Sequence, residues 1–173
     1  MLRDAVLAAV GRSDVREEVL RIYRELQEQI DLRKPKCSTS GRCCRFEEYG
    51  HRLYVTTLEL ATFFALVGDP ERSDAACPFQ MDGLCSVHAA RPFGCRVFFC
   101  DSTSDQWQHE QYERFHGELK RLHVELGVEY HYVEWRAGLA EIGVSAPSGC
   151  ETASGNRDGA GGTRRVSLAQ VRF

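Results

Sequence analysis

Long apolar runs, a large excess of one charge sign and internal repeats are all absent from this 173-residue sequence. No apolar stretch approaches the roughly 20 residues that a membrane-spanning helix requires. The formal net charge of -3 provides no general attraction to nucleic acid or to an anionic membrane. We therefore expect neither a nucleic-acid-binding protein nor a membrane protein.

Signals for secretion and for familiar catalytic motifs are also lacking. The first ten residues carry an acid at Asp4 and no convincing cleavage site, so we expect no secretory signal and a cytoplasmic protein. No G-x-G-x-x-G loop follows a strand and opens a helix, and no Ser/His/Asp arrangement suggests a nucleophile. These absences leave the cysteines as the main chemical signal.

The periodicity predicts a mainly α fold: a small helical domain with irregular cysteine-rich loops around a metal site. Apolar residues at steps of three and four predict one helix from Ser13 to Ile30 and another over 105–126. Thr56 and Glu59 form a capping-box pattern that opens a helix, and residues 130–133 fit either a strand or a turn before a last helix over 134–142. The expected organisation is an N-terminal amphipathic helix region (1–35), a cysteine-cluster domain with C-terminal helices (36–145) and a disordered tail rich in Gly, Ser, Arg and Asp (146–173).

Eight cysteines are the unusual feature of the composition. In a reducing compartment a dense, patterned set indicates metal binding more than a disulfide framework. Cys150 lies in the predicted tail, and we do not expect it to be a ligand. The other seven fall in two segments separated by a helix and are the predicted metal ligands: Cys37, Cys43, Cys44, Cys77, Cys85, Cys95 and Cys100.

The spacing of these cysteines matches neither the paired C-x2-C units of zinc fingers nor the ferredoxin patterns. Thiolates favour zinc and iron–sulfur centres over hard cations, so either is a candidate. Buried free thiols are the alternative. His88 is a further candidate ligand, and a partly buried histidine is its alternative.

Arginines flank both cysteine segments, and guanidinium groups lower the pKa of neighbouring thiols. Arg42 and Arg45 border the first segment, and Arg91 and Arg96 border the second. Pro92 suits the first turn of a short helix. Either that helix ends before Cys100, or Cys95 and Cys100 serve different purposes.

The combined motif resembles the YkgJ-type cysteine-cluster family, which is described as a zinc- or iron-chelating domain with a C-x2-C-x2-C-C signature. The resemblance covers about residues 37–100 and is carried by Cys37-x2-Ser40-Gly41-x-Cys43-Cys44, Cys77-Pro78-Phe79, Gly83-x-Cys85, Arg91-Pro92 and Cys95-Arg96 through Cys100. It implies a metal site built from these cysteines. The sequence departs from the signature at Ser40, where the family's second cysteine is expected and where a hydroxyl is a poorer ligand for a soft metal.

Three functions are compatible with this sequence. The first is a metal-binding protein whose zinc or iron–sulfur centre is redox-active or supports an enzyme, acting on an unidentified protein partner or substrate. The second is a structural zinc module that presents an interaction surface. The third is a methyltransferase-like enzyme, since some proteins with similar cysteine clusters have that activity, which a motif alone does not transfer.

Overall fold

Helices form most of the ordered framework. The computed structural model describes residues 1–143 except residues 69, 71, 74 and 76. The α-helices in this part of the chain are α1 (Leu2–Val10), α2 (Ser13–Arg33), α3 (Phe46–Tyr49), α4 (Thr57–Val67), α5 (Phe93–Val97), α6 (Asp105–Leu126) and α7 (Trp135–Ile142). The strands are β1 (Tyr54–Thr56), β2 (Gln80–Met81), β3 (Leu84–Cys85) and β4 (Tyr132–Glu134). The predicted mainly α fold with irregular cysteine-rich loops is confirmed.

The N-terminal region contains two helices where the sequence analysis predicted one. Helix α2 starts at Ser13 as predicted and continues past Ile30 to Arg33. Arg12 occupies the N-cap position in an extended conformation, and Ser13 is the first helical residue. Helix α1 was not predicted: it has only nine residues and buries a narrow face.

Helix α4 lies at the centre of the bundle, and both α1 and α2 pack against it. The predicted capping box is present: Thr56 Oγ1 accepts a hydrogen bond from Glu59 N at 3.3 Å, and Glu59 Oε2 accepts one from Thr56 N at 2.8 Å. All residues from Thr57 to Phe63 are buried, so the first two turns of this helix are covered on every side. Such a helix belongs to the interior and fixes what packs around it.

Helix α6 spans the predicted residues and packs against α2 and α5. It ends at Gly127, which adopts the left-handed conformation with φ of 61° that favours glycine at a helix end. The following strand β4 pairs antiparallel with β1, matching Val133 with Val55. The open alternative at residues 130–133 is therefore resolved as an extended lead-in and a strand.

Strands β2 and β3, each of two residues, form a β-hairpin inside the second cysteine segment. Asp82 and Gly83 occupy the turn with φ of 50° and 79°, as a tight hairpin turn of the Asn-Gly or Asp-Gly kind requires. Just before it, Phe79 packs against Phe63 and Trp135, with ring centroids 5.0 and 5.8 Å away. This aromatic group anchors the segment to α4 and α7.

Within the described part of the chain, no helix combines the length and the apolar character needed to cross a lipid bilayer. The predicted disorder of residues 146–173, and Cys150 with it, lies outside the described residues.

Candidate metal centre

The first cysteine segment is an irregular loop that ends in a tight turn. After α2 the backbone follows no helix or strand until a 3₁₀ turn at Arg42–Cys44. Gly41 precedes this turn with φ of 67°, and a Cβ atom placed there would lie 2.1 Å from Gly83 O. Only glycine permits this close approach.

A side-chain amide joins this loop to the β2–β3 hairpin. Gln80 Nε2 donates hydrogen bonds to Gly41 O at 3.2 Å and to Gly83 O at 3.3 Å. The two cysteine segments, separated in sequence by α4, thereby meet in space. The hairpin places Cys85 beside the turn that holds Cys43 and Cys44.

Four thiols converge where the segments meet, and we call them the inner thiol group: Cys43, Cys44, Cys77 and Cys85. Cys44 is at the centre, 4% exposed, with its sulfur 4.0 Å from that of Cys43. It also interacts with Cys77 and Cys85, which raise its pKa. All are free thiols.

Hydrogen bonding inside this group separates the acidities of its members. Bonding to Cys44 lowers the pKa of Cys43 to about 6 and that of Cys85 to about 7, and it also lowers the pKa of Cys77. The same interactions raise the pKa of Cys44. Cys43 and Cys85 therefore lose their protons more easily than Cys44 does.

Arg91 is the flanking arginine that acts on these thiols electrostatically. Its positive charge helps to lower the pKa of Cys43 and Cys85, as expected for a guanidinium group near thiols. Arg45 instead pairs with Glu48 at 3.4 Å on the surface. The predicted effect of the arginines on the thiols thus holds for Arg91.

Arg96 serves a different purpose, which is to fix the backbone of the second segment. It donates to Ala89 O at 2.6 Å and to Arg91 O at 2.8 Å. Its guanidinium lies 4.4 Å from the ring centroid of Tyr23 on α2. It therefore ties the loop before α5 to the helical core.

Cys95 is placed next to the inner thiol group by α5. A buried carboxylate holds the start of this helix, because Glu59 Oε1 accepts a hydrogen bond from Phe93 N at 2.9 Å. Cys95 is half-buried. Desolvation raises the pKa of its thiol well above the ordinary value, and negative charge on Cys77 and Cys43 adds to the effect. Helix α5 ends at Val97, so Cys100 belongs to the loop that follows it.

Cys37 and Cys100 differ from the inner thiol group in being exposed; we call them the outer pair. Ser40 lies beside Cys100, with its Oγ 3.9 Å from Cys100 Sγ. The two loops are held together nearby by Lys36 N, which donates to Asp101 Oδ2 at 3.0 Å. The seven predicted ligands therefore occupy two neighbouring regions.

A cavity of about 310 Å³ connects these two regions. It is lined by Cys43, Cys44 and Cys85 of the inner thiol group and by both thiols of the outer pair, and His88 lies on its wall. A second cavity of about 280 Å³ reaches Cys43 and Cys95 from the opposite side. Cys43 borders both cavities.

The donor set fits a thiophilic metal in its chemistry, since the converging groups are thiols with neighbouring cationic charge. With Zn–S bonds of about 2.3 Å, the sulfurs of a tetrahedral site lie roughly 3.8 Å apart, close to the 4.0 Å between Cys43 and Cys44. Among the described residues, however, no three His, Cys, Asp or Glu side chains form a complete metal-binding group. Metal loading therefore requires the other thiols to turn toward a common point.

Three residues important to this site were missed by the sequence analysis. Gln80 had no signal, because an amide that bridges two loops is visible only in three dimensions. Glu59 was recognised as a capping residue, but its bond to α5 was not. His51 stacks on Phe98 with ring centroids 5.1 Å apart and lies with its Nε2 3.4 Å from Cys43 O.

No family model matches the chain, and no curated protein or solved structure matches it either. The resemblance to the YkgJ-type family remains a prediction from the cysteine motif. Function is therefore argued from the geometry of the thiols.

Proposed function

We propose that this protein binds a thiophilic metal centre, zinc or an iron–sulfur cluster, through the inner thiol group, with Cys95 as an adjacent ligand candidate. The observation that carries the proposal is the position of Cys44. This buried thiol contacts Cys43 from its own segment and interacts with Cys77 and Cys85 from the other. A structural role for free thiols alone does not require cysteines from two distant segments to meet.

The acidities of these thiols support metal binding at neutral pH. Metals bind the thiolate, so ligands must lose their protons. Cys43 and Cys85 have pKa values of about 6 and 7, and both are therefore available as thiolates near neutrality. Cys44 would release its proton on binding, so metal affinity should rise with pH.

Access from solvent favours a metal centre that takes part in a reaction over a closed structural metal site. The 310 Å³ cavity reaches three inner thiols, which leaves room for a substrate or for contact with a redox partner. We propose a redox or enzyme-supporting centre that works in the cytoplasm, where thiols stay reduced. The cavity is the place where an unidentified substrate or partner would approach.

A structural zinc module is the second candidate, and burial favours it. Cys44 and Cys77 are only 4% and 6% exposed, as expected of ligands in a closed structural site. The two candidates differ in what metal removal does. In a structural site, a chelator should make residues 37–100 much more sensitive to protease than α6, while an accessible redox centre should lose metal with little change in proteolysis.

The direct test is anaerobic purification followed by metal analysis and an absorption spectrum. We expect zinc or iron in stoichiometric amount; iron should give broad visible absorption that dithionite bleaches, and zinc should leave the protein colourless. Folded protein that contains neither metal would contradict the proposal.

Matched variants locate the site. Cys44→Ala and Cys85→Ser should sharply reduce metal content, whereas Ser40→Ala should leave it nearly unchanged because Ser40 lies beside Cys100 of the outer pair. Circular dichroism should show that each variant keeps its helices. Equal metal content in Cys85→Ser and wild-type protein would remove Cys85 from the site, and loss of metal in Ser40→Ala would make the Ser40 hydroxyl essential.

A further inference from the structure

We propose that the outer pair, Cys37 and Cys100, is a separate dithiol that peroxide oxidises to a disulfide at the mouth of the 310 Å³ cavity. This proposal goes beyond metal binding and does not depend on it. It divides the seven clustered cysteines into an inner group for metal and an outer pair for reversible oxidation.

The first observation is that the outer pair is exposed while the inner thiols are buried or half-buried. Cys37 and Cys100 are exposed free thiols. Cys44 and Cys77 are only 4% and 6% exposed, and Cys43 and Cys85 are half-buried. Oxidants in solution therefore reach the outer pair more readily than the inner group.

The second observation is that the residues next to the outer pair are hydrogen-bonded to each other. Lys36 N donates to Asp101 Oδ2 at 3.0 Å. Cys37 directly follows Lys36 in the sequence, and Cys100 directly precedes Asp101. Arg33 Nη2 adds a hydrogen bond to Thr103 O at 2.7 Å. Both thiols line the same cavity.

The loop geometry permits the remaining approach. A disulfide needs Cα atoms roughly 4.4–6.8 Å apart. Residues 34–41 belong to no helix or strand, so the Cys37 backbone is not fixed by a ladder of hydrogen bonds. Movement of this loop toward Cys100 would not disturb α2 or α6.

The third observation is the identity of residue 40. Its side chain is the neighbour of Cys100, 3.9 Å away, and it is a hydroxyl. Two thiols and a hydroxyl make a poor site for a soft metal, which favours thiolates. The outer pair therefore lacks the third sulfur that would hold a metal and protect the thiols from oxidation.

The neighbour of Cys100 indicates which thiol reacts first. Ser40 Oγ lies 3.9 Å from Cys100 Sγ, and a hydroxyl can donate a hydrogen bond to the peroxide oxygen that leaves. Cys100 is therefore the expected site of attack, and Cys37 the thiol that resolves the product.

The chemistry balances with hydrogen peroxide as oxidant. The Cys100 thiolate attacks one peroxide oxygen; the S–O bond forms, the O–O bond breaks, and the departing hydroxide takes up the proton that the Cys100 thiol released, which gives one water and a sulfenic acid on Cys100. The Cys37 thiolate then attacks this sulfur; the S–S bond forms, the S–O bond breaks, and the departing hydroxide takes up the proton that the Cys37 thiol released, which gives the second water. Two thiols lose two electrons in total, and peroxide is reduced to two waters; a dithiol reductant reverses the change.

The test is peroxide titration of the full-length, as-purified protein, followed by alkylation, digestion and mass spectrometry. We expect a linked Cys37–Cys100 peptide that is lighter by two hydrogens than the separate peptides and that disappears after dithiothreitol. It should form at peroxide concentrations that leave metal content unchanged. In Cys37→Ser, dimedone should trap a sulfenic acid on Cys100, and the control Cys150→Ser should still form the link.

Several results would overturn the proposal. Separate alkylation of Cys37 and Cys100 after enough peroxide to oxidise the inner thiols would do so, as would a link from either residue to Cys150. Loss of metal in Cys37→Ser as large as in Cys44→Ala would make Cys37 a ligand of the inner centre. A metal-free protein that still forms the Cys37–Cys100 link would contradict the proposed function alone.

Discussion

Replacing Glu59 with alanine tests how the helical core positions the second cysteine segment. Glu59 is 3% exposed and accepts three hydrogen bonds, from Thr56 N, Thr56 Oγ1 and Phe93 N. Thr56 and Phe93 are 0% and 2% exposed, so water cannot easily replace the lost carboxylate. The substitution should therefore destabilise the fold and release the start of the helix that carries Cys95.

The expected magnitude follows from the number of buried donors left unpaired. Each costs about 1–3 kcal/mol, and removing the buried carboxylate recovers part of its desolvation cost. We expect the free energy of unfolding to fall by about 3–5 kcal/mol. Glu134→Ala is the matched control, because Glu134 caps α7 through Ala137 N at a more exposed position, and its loss should cost about 1 kcal/mol.

Urea unfolding followed by circular dichroism measures both variants. Equal midpoints for Glu59→Ala and Glu134→Ala would refute the role given to Glu59. Burial, the largest cause, raises the pKa of Glu59 above its ordinary value of 4.5. The folded state therefore holds the proton of the Glu59 carboxyl group more tightly than the unfolded state does. The stabilisation that results is complete below pH 4.5, and it is lost as the pH rises through the folded-state pKa of Glu59. The stability of wild-type protein relative to Glu59→Gln should accordingly fall as the pH increases, and a difference that grows would contradict this.

Three further predictions concern the cysteine segments. Gly41→Ala should unfold at a lower urea concentration than wild-type protein and bind less metal, because the new Cβ would lie 2.1 Å from Gly83 O. Gly11→Ala is the control: Gly11 has open space around it, so this variant should change neither property. Equal effects of the two substitutions would refute the close approach at Gly41. Ser40→Cys supplies a third thiol beside the outer pair, and metal analysis should detect a content above that of wild-type protein; an unchanged content would show that position 40 cannot complete a site. Deleting residues 150–173 should leave metal content intact, and its loss would give the tail a part in binding.

Sequence reasoning predicted the elements whose signals are local. Helix α6 combines a long apolar stripe with a terminal glycine at Gly127, and α4 begins with the capping box at Thr56 and Glu59. These interactions lie within a few residues of one another, so sequence spacing specifies them. Helix α1 escaped prediction because its nine residues bury only a narrow face that depends on packing against α4 and α7.

The hairpin at Gln80–Cys85 has a sequence signal, the Asp82-Gly83 pair, but the strands beside it are too short to support a prediction. Asp82-Gly83 between two short pairs of residues is a recognised hairpin pattern, but Cys85 and Met81 belong to strands of only two residues. Strands this short lack the alternation of apolar and polar residues that identifies longer ones. The turn was therefore hidden by the irregular composition around it.

The cysteines were predicted as one set, and their division could not be read from spacing. Cys43 and Cys44 are adjacent to each other, yet Cys77 and Cys85 reach them only because the Gln80 amide and the Gly41 turn bring two loops together. Cys37 and Cys100 differ from this group in being exposed. Such divisions depend on tertiary packing, which local pattern does not contain.

The amide of Gln80 has a consequence for the motion of the two cysteine segments. It donates to Gly83 O within the hairpin and to Gly41 O of the other loop, so moving the loops apart breaks the hydrogen bond to Gly41 O. The first cysteine segment and the hairpin should therefore open together, as one cooperative unit, and not as two independent loops. Their backbone amides should accordingly exchange hydrogen with solvent at similar rates.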